Sequence, residues 1–260
     1  MSIAVQAQPT SNTGASRVPR DSLRKTAFMA GALYLLTFAS SIPAAAFFLL
    51  PVLNNADYIV SSGADARVIM GCLLDVINAL ACIGTALVLF PVVKRQSETL
   101  ALGFVTSRLL EAAVIVTGVV SLLAVVSLRQ DLAGATGAEA SALVVAGQSL
   151  VAVRDWTLLL GPGVLAAVNA LLLGTLMYRS RLVPRVIPLM GLIGAPLLFG
   201  SVLATLFGAF GQFSQPALAL VLPVAAWEFS LGIWLVVKGF RPSRITTENT
   251  AAGTTIGTNR

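Results

Sequence analysis

Six long apolar runs divide the chain, at residues 27–50, 68–93, 100–128, 156–177, 186–210 and 217–237, with polar connections between them. Each is long enough for an α-helix, rising about 1.5 Å per residue, to cross roughly 30 Å of hydrocarbon. The pattern predicts an all-α, polytopic membrane protein with six transmembrane helices in one bundle. Residues 1–22 and 242–260 have no periodic apolar face and are rich in small and polar residues, so they read as disordered tails. Residues 23–241 remain as a single six-helix transmembrane domain.

Three details qualify this pattern. The stretch EASALVVAGQSLVAVRD (139–155) is apolar but too short to span alone, and it precedes Trp156 and Gly161-Pro162-Gly163. It reads as an extension of the fourth span past the lipid, kinked at Pro162; a re-entrant or interfacial helix is the alternative. In the first run a basic leader and Ala44-Ala45-Ala46 mimic a signal-peptide cleavage site, but the apolar run continues through Leu50, which favours a retained helix. On the fifth run Gly200, Ala204 and Gly208, with Gly191 and Ala195 upstream, form a small-residue stripe that reads as close helix packing within the chain.

Composition strengthens the membrane assignment. The chain is 57% hydrophobic and 11% charged, with a mean hydropathy of +0.88. Soluble domains carry about 25% charged residues, so this chain has too few to cover a water-facing globule of its size. The net charge of +6 does not point to nucleic acid, because the basic residues sit in short clusters between the apolar runs. Thirteen of seventeen lie before the first run, in the second-to-third and fourth-to-fifth connections, or after the sixth. The alternate connections hold only Arg67 and Arg129, among Asp57, Asp65, Asp131 and Glu139. By the positive-inside rule both termini are cytoplasmic, in a bacterial cytoplasmic membrane. The lipid bilayer is the one partner implied.

Candidate chemistry is sparse. The chain has no histidine, which removes serine–histidine relays, His-bound metals and imidazole proton shuttles. Cys72 and Cys82 would lie about 15 Å apart along one helix, too far for a disulfide. No phosphate loop, zinc spacing or dinucleotide fingerprint occurs, so no catalytic set, metal or cofactor is expected. The informative residues are the polar ones inside apolar runs. Glu228 lies about 15 Å before Lys238, Arg108 and Glu111 about 12 and 16 Å past Leu100, and Asn169 about 13 Å before Tyr178.

These four share one depth and form a candidate buried cluster. A mid-membrane charge costs about 2.5–3.5 kcal/mol or more, so Arg108 is expected to pair with Glu228 or Glu111. Snorkelling of Arg108 to the cytoplasmic interface is the plainer alternative. Nearer the outer surface, Asp75, Asn78, Arg154 and Asp155 form a second candidate cluster, or are solvated at the headgroups.

Several motifs occur in a recognisable order: GALYLLTF, FPVVKRQSETLALGFVTSRLLEA, RDWTLLLGPG, LLLGTLMYRSRLVPRVIPLMGLIGAPLL and WEFSLGIWLVVKGF. Together they resemble the uncharacterised bacterial membrane family known as domain of unknown function 4386, over roughly residues 23–242. The resemblance implies a multi-pass membrane protein and supplies no activity. The residues favour a non-enzymatic membrane component of unknown molecular function. One alternative is a small-solute or proton-coupled transporter using Glu111, Asn169 and Glu228. A second is an intramembrane enzyme acting on a lipid-like substrate through Asp75 or Asp155. A water-accessible cavity reaching Glu228 would mark the transporter, a lateral cleft with clustered acids the enzyme, and a scaffold would have neither.

Overall fold

The computed structural model describes residues 20–53, 56–59, 64–131, 134 and 136–247. The apolar runs become six helices: α1 (Ser22–Leu53), α2 (Asp65–Val93), α3 (Glu98–Asp131), α4 (Ala138–Ser180), α5 (Val186–Leu206) and α6 (Gln215–Val237). All six are long and apolar enough to cross a membrane, and no strand occurs among the described residues. Of the expected tails, residues 1–19 and 248–260 lie outside the described residues. The remainder is ordered differently from expectation: the helical turn of α1 already begins at Arg20, and Arg244–Thr247 form one further turn.

Segment 139–155 is the first part of α4, which runs without interruption for 43 residues, so the re-entrant alternative does not hold. Proline cannot donate the helical hydrogen bond and crowds the preceding turn. Around Pro162 the helix responds by widening into a π-helical segment, Leu159–Leu165, rather than breaking. A second π segment, Ala44–Leu49, follows Pro43 in α1. Helix α5 ends at Leu206, short of the expected 210, because Gly208 adopts φ +75°. There the Ala209 N–H turns back to the Ala204 carbonyl at 2.8 Å, the capping geometry that a left-handed glycine permits.

Each helix packs on its neighbours in sequence, and α6 closes the ring against α1. The two outer helices meet at one end of the bundle. Arg24 Nη2 donates to the carbonyls of Val236 at 3.2 Å and Val237 at 3.0 Å, which α6 leaves unpaired at its C-terminus. Lys94, Arg95, Arg181 and Arg185 lie in the connections at this basic end, and Arg179 in the last turn of α4. Its interior is filled by Tyr34, Phe104, Leu173, Met177, Trp227 and Leu231, all fully buried. A second core, including Leu49, Tyr58, Val68, Leu122 and Leu143, occupies the far end. Among the described residues, the buried hydrophobic group between the two is the small set Ala79, Ala112 and Ile115. Outside, large apolar side chains are exposed on every helix, among them Phe28, Leu80, Leu110, Leu171, Ile193 and Leu222. In water such a surface would be an aggregation liability; lipid tolerates it.

The small-residue stripe of α5 is only half used. A Cβ on Gly191 would come within 2.5 Å of the Trp227 ring, and one on Gly194 within 2.8 Å of the Val224 nitrogen. Gly200 and Gly208 have no atom that close to any such Cβ, so they do not serve the packing the spacing suggested.

Candidate functional site

At mid-height of the bundle, α3 presents Arg108 and Glu111 on one face, as their three-residue spacing requires. Arg108 Nη1 donates to Glu111 Oε2 at 3.0 Å, and Nη2 donates to Glu228 Oε1 on α6 at 2.7 Å. Asn169 on α4 adds Nδ2 to the same Glu111 oxygen at 2.7 Å. The four residues singled out by depth are therefore in direct contact. Arg108 is 2% exposed, which sets aside the snorkelling alternative. Its guanidinium lies 5.2 Å from the ring centre of Tyr34 and 5.9 Å from that of Phe104, and Nη1 also reaches Cys82 Sγ at 3.5 Å. A planar cation between aromatic faces recovers part of the hydration it loses.

The outer residues separate. Arg154 on α4 donates from Nη2 to Asp75 Oδ2 on α2 at 2.8 Å, with both side chains buried. Gly118 on α3 leaves room for that arginine: a Cβ there would fall 2.9 Å from Arg154 Cδ. Asn78 is buried one turn from Asp75. Asp155 does not join them. It is exposed and lines a separate small hollow with Tyr58 and Gln148. Successive helical residues point about 100° apart, and here Arg154 turns into the bundle while Asp155 turns out of it.

Both groups border one cavity of about 470 Å³ that all six helices line. At its far end lie Leu50, Gln212 and Phe213, next to the α5–α6 connection; at its floor lie Cys82, Arg108 and Glu228. Below that floor the bundle is solidly packed. Toward the basic end α1 and α6 touch directly, through Gly31 against the Gly232 backbone and the Phe38 and Phe229 rings edge to face at 5.4 Å. Farther out, Ile42 and Ala45 on α1 and Val221 and Ala225 on α6 line the cavity instead. The side chain of Glu228 is 14% exposed, the most open member of the inner cluster.

Sequence reasoning missed several partners. Tyr34 lies ten residues beyond Arg24, about 15 Å by the same helical count that placed Glu228, so depth alone could have nominated it. The same count puts Cys82 about 16 Å before Val93, at the depth of Glu111. Arg129 and Asp65, read as connection residues, form an ion pair at the far end in which Arg129 is buried and Asp65 half-buried, with Arg129 stacked 4.1 Å over the Tyr58 ring.

The model of one protein family, described as Domain of unknown function (DUF4386), matches residues 29–239. This chain belongs to the DUF4386 family. The match runs from α1 through the end of α6 and so includes both charged groups and the cavity between them. No curated protein and no solved structure matches the chain. The DUF4386 description names no activity, so the chemistry available here is that of the cavity itself. Its acids are held by arginines or lie apart: Glu111 and Glu228 share Arg108, Asp75 is held by Arg154, and Asp155 faces elsewhere.

Proposed function

We propose that this DUF4386 protein is a multi-pass integral protein of a bacterial cytoplasmic membrane that binds a small solute for transport. Its basic end and both termini face the cytoplasm. The observation that carries the reading is the cavity descending from the far end to Glu228. A scaffold has no use for 470 Å³ of internal space beside a charged cluster, since every lost contact around a void weakens packing. Ligand sites have this form, an apolar concavity of about 300–1,000 Å³ with a few convergent polar groups. The packed basic half makes this the outward-open arrangement of a site alternately exposed to the two sides.

Cysteine labelling tests this reading. With Cys72 and Cys82 replaced by Ala, a cysteine at Val221 should react with a membrane-impermeant thiol reagent applied outside intact cells. One at Leu231, in the packed half, should not. A Val221 cysteine as inert as the one at Leu231 would mean that the cavity is closed to water, and the solute-binding function would fall.

A further inference from the structure

The inner cluster is one positive charge short. Arg108 faces two carboxylates, and both of its terminal nitrogens are already committed, one to Glu111 and one to Glu228. The other polar side chains against the cluster, Tyr34, Cys82 and Asn169, bring no positive charge. Arg154 offers no relief. It is neutralised by Asp75, which precedes Cys82 by seven residues, or about 10 Å along α2. A buried carboxylate without a compensating charge is unfavourable by several kcal/mol, so the deficit is met by a proton on one carboxylate or by a bound cation that displaces it.

The geometry shows from which side the cation comes. Glu111 is 4% exposed, and its Oε2 already accepts from both Arg108 and Asn169. Glu228 gives Oε1 to Arg108, while Oε2 accepts no hydrogen bond among the described residues and the carboxylate borders the cavity. The space beyond is walled by Phe38, Ile42, Leu198, Val202 and Val221. A bare metal ion or a hydronium would leave that wall uncovered. An organic molecule would bury it and gain in proportion to the apolar area removed from water.

We infer that the cavity takes a monovalent organic cation with a hydrophobic body. Its cationic end lies against Glu228 Oε2, and its apolar part lies along α1, α5 and α6 toward the far end. This specifies the solute class for the transport reading above and rests on it. Selectivity follows from charge: an anion of the same shape meets an excess negative charge with no unpaired cation to receive it.

Tetraphenylphosphonium and tetraphenylborate, alike in shape and opposite in charge, provide the test. Binding of each to the full-length protein in detergent is measured by calorimetry, after subtraction of protein-free micelles. The phosphonium should bind one per chain, and the borate roughly tenfold to a hundredfold more weakly, the factor a charged contact supplies. Glu228→Gln should remove the preference by a similar factor and Glu228→Asp should keep most of it. Ala225→Trp, which fills the cavity and leaves the charges in place, should abolish phosphonium binding. Equal binding of the two probes to the wild-type protein, or a preference for the borate, overturns the organic-cation assignment without recourse to any variant. In that case a reactive cysteine at Val221 leaves the solute cavity standing, whereas an inert one removes both.

Discussion

Arg108 Nη2 on α3 holds Glu228 Oε1 on α6 at 2.7 Å, joining side chains 120 residues apart in the sequence. The same guanidinium holds Glu111 with its other terminal nitrogen at 3.0 Å. Only a forked cation can take two carboxylates in one plane, so lysine would not replace it. The two acids are unequal in what they lose without it. Arg108→Gln strands both, including the nearly inaccessible Glu111, and should destabilise by about 3–5 kcal/mol, as breaking a buried pair does. Glu228→Gln leaves Arg108 paired with Glu111 and should cost distinctly less. The double variant should lose less than the sum of the two, measured by thermal unfolding in detergent. Additive losses would mean that the contact carries no coupling energy.

Asn169 has no exposed surface and donates to Glu111 Oε2 at 2.7 Å. Asn169→Leu is close in size but removes the donor, and should lower stability by about 1–3 kcal/mol, the penalty for an acceptor left less satisfied. Asn169→Asp should be worse, because it sets a second carboxylate against Glu111. Glu111→Gln should then restore part of the loss in the Asn169→Asp background and none in the Asn169→Leu background. Melting curves of the four variants decide it; an Asn169→Asp protein as stable as wild type would show that the side chain does not face Glu111.

What the sequence made legible was depth. A helix advances about 1.5 Å per residue whatever its side chains, so counting from basic ends placed Arg108, Glu111, Asn169 and Glu228 at one level. Azimuth was much less legible. Arg154 and Asp155 are adjacent, both charged and at one depth, and nothing in their order says which turns inward. The stripe on α5 misled for the same reason: Gly191 and Gly194 face Trp227 and Val224, while Gly200 faces open space. In an apolar helix surrounded by lipid the usual guide to the buried face, an apolar stripe against a polar one, is absent. The cavity was invisible too, since a void arises from how six helices fail to meet rather than from any residue pattern.

The two kinds of α5 glycine should respond oppositely to a methyl group. Gly191→Ala would push its Cβ into the Trp227 ring, which is fully buried and cannot retreat, and should cost about 1–3 kcal/mol as overpacking does. Gly200→Ala meets nothing and gains up to about 1 kcal/mol of helix propensity. Unfolding temperatures in detergent should therefore fall for the first and stay level or rise for the second. A fall for Gly200→Ala would imply a contact on that face that the isolated chain does not make.

Orientation follows from charge rather than from packing. Thirteen of the seventeen basic residues fall before the first apolar run, after the sixth, or between the second and third and the fourth and fifth runs. On the positive-inside rule we propose that the basic end faces the cytoplasm. Glu98, at the start of α3, and Gln215, at the start of α6, are exposed at opposite ends of the bundle, and the two native cysteines are buried. In a background with both cysteines replaced by Ala, Gln215→Cys should react with an impermeant thiol reagent in intact cells. Glu98→Cys should react only after the membrane is opened. The reverse result would invert the bundle. Because Gln215 adjoins the end of the cavity lined by Gln212 and Phe213, it would also turn that end toward the cytoplasm.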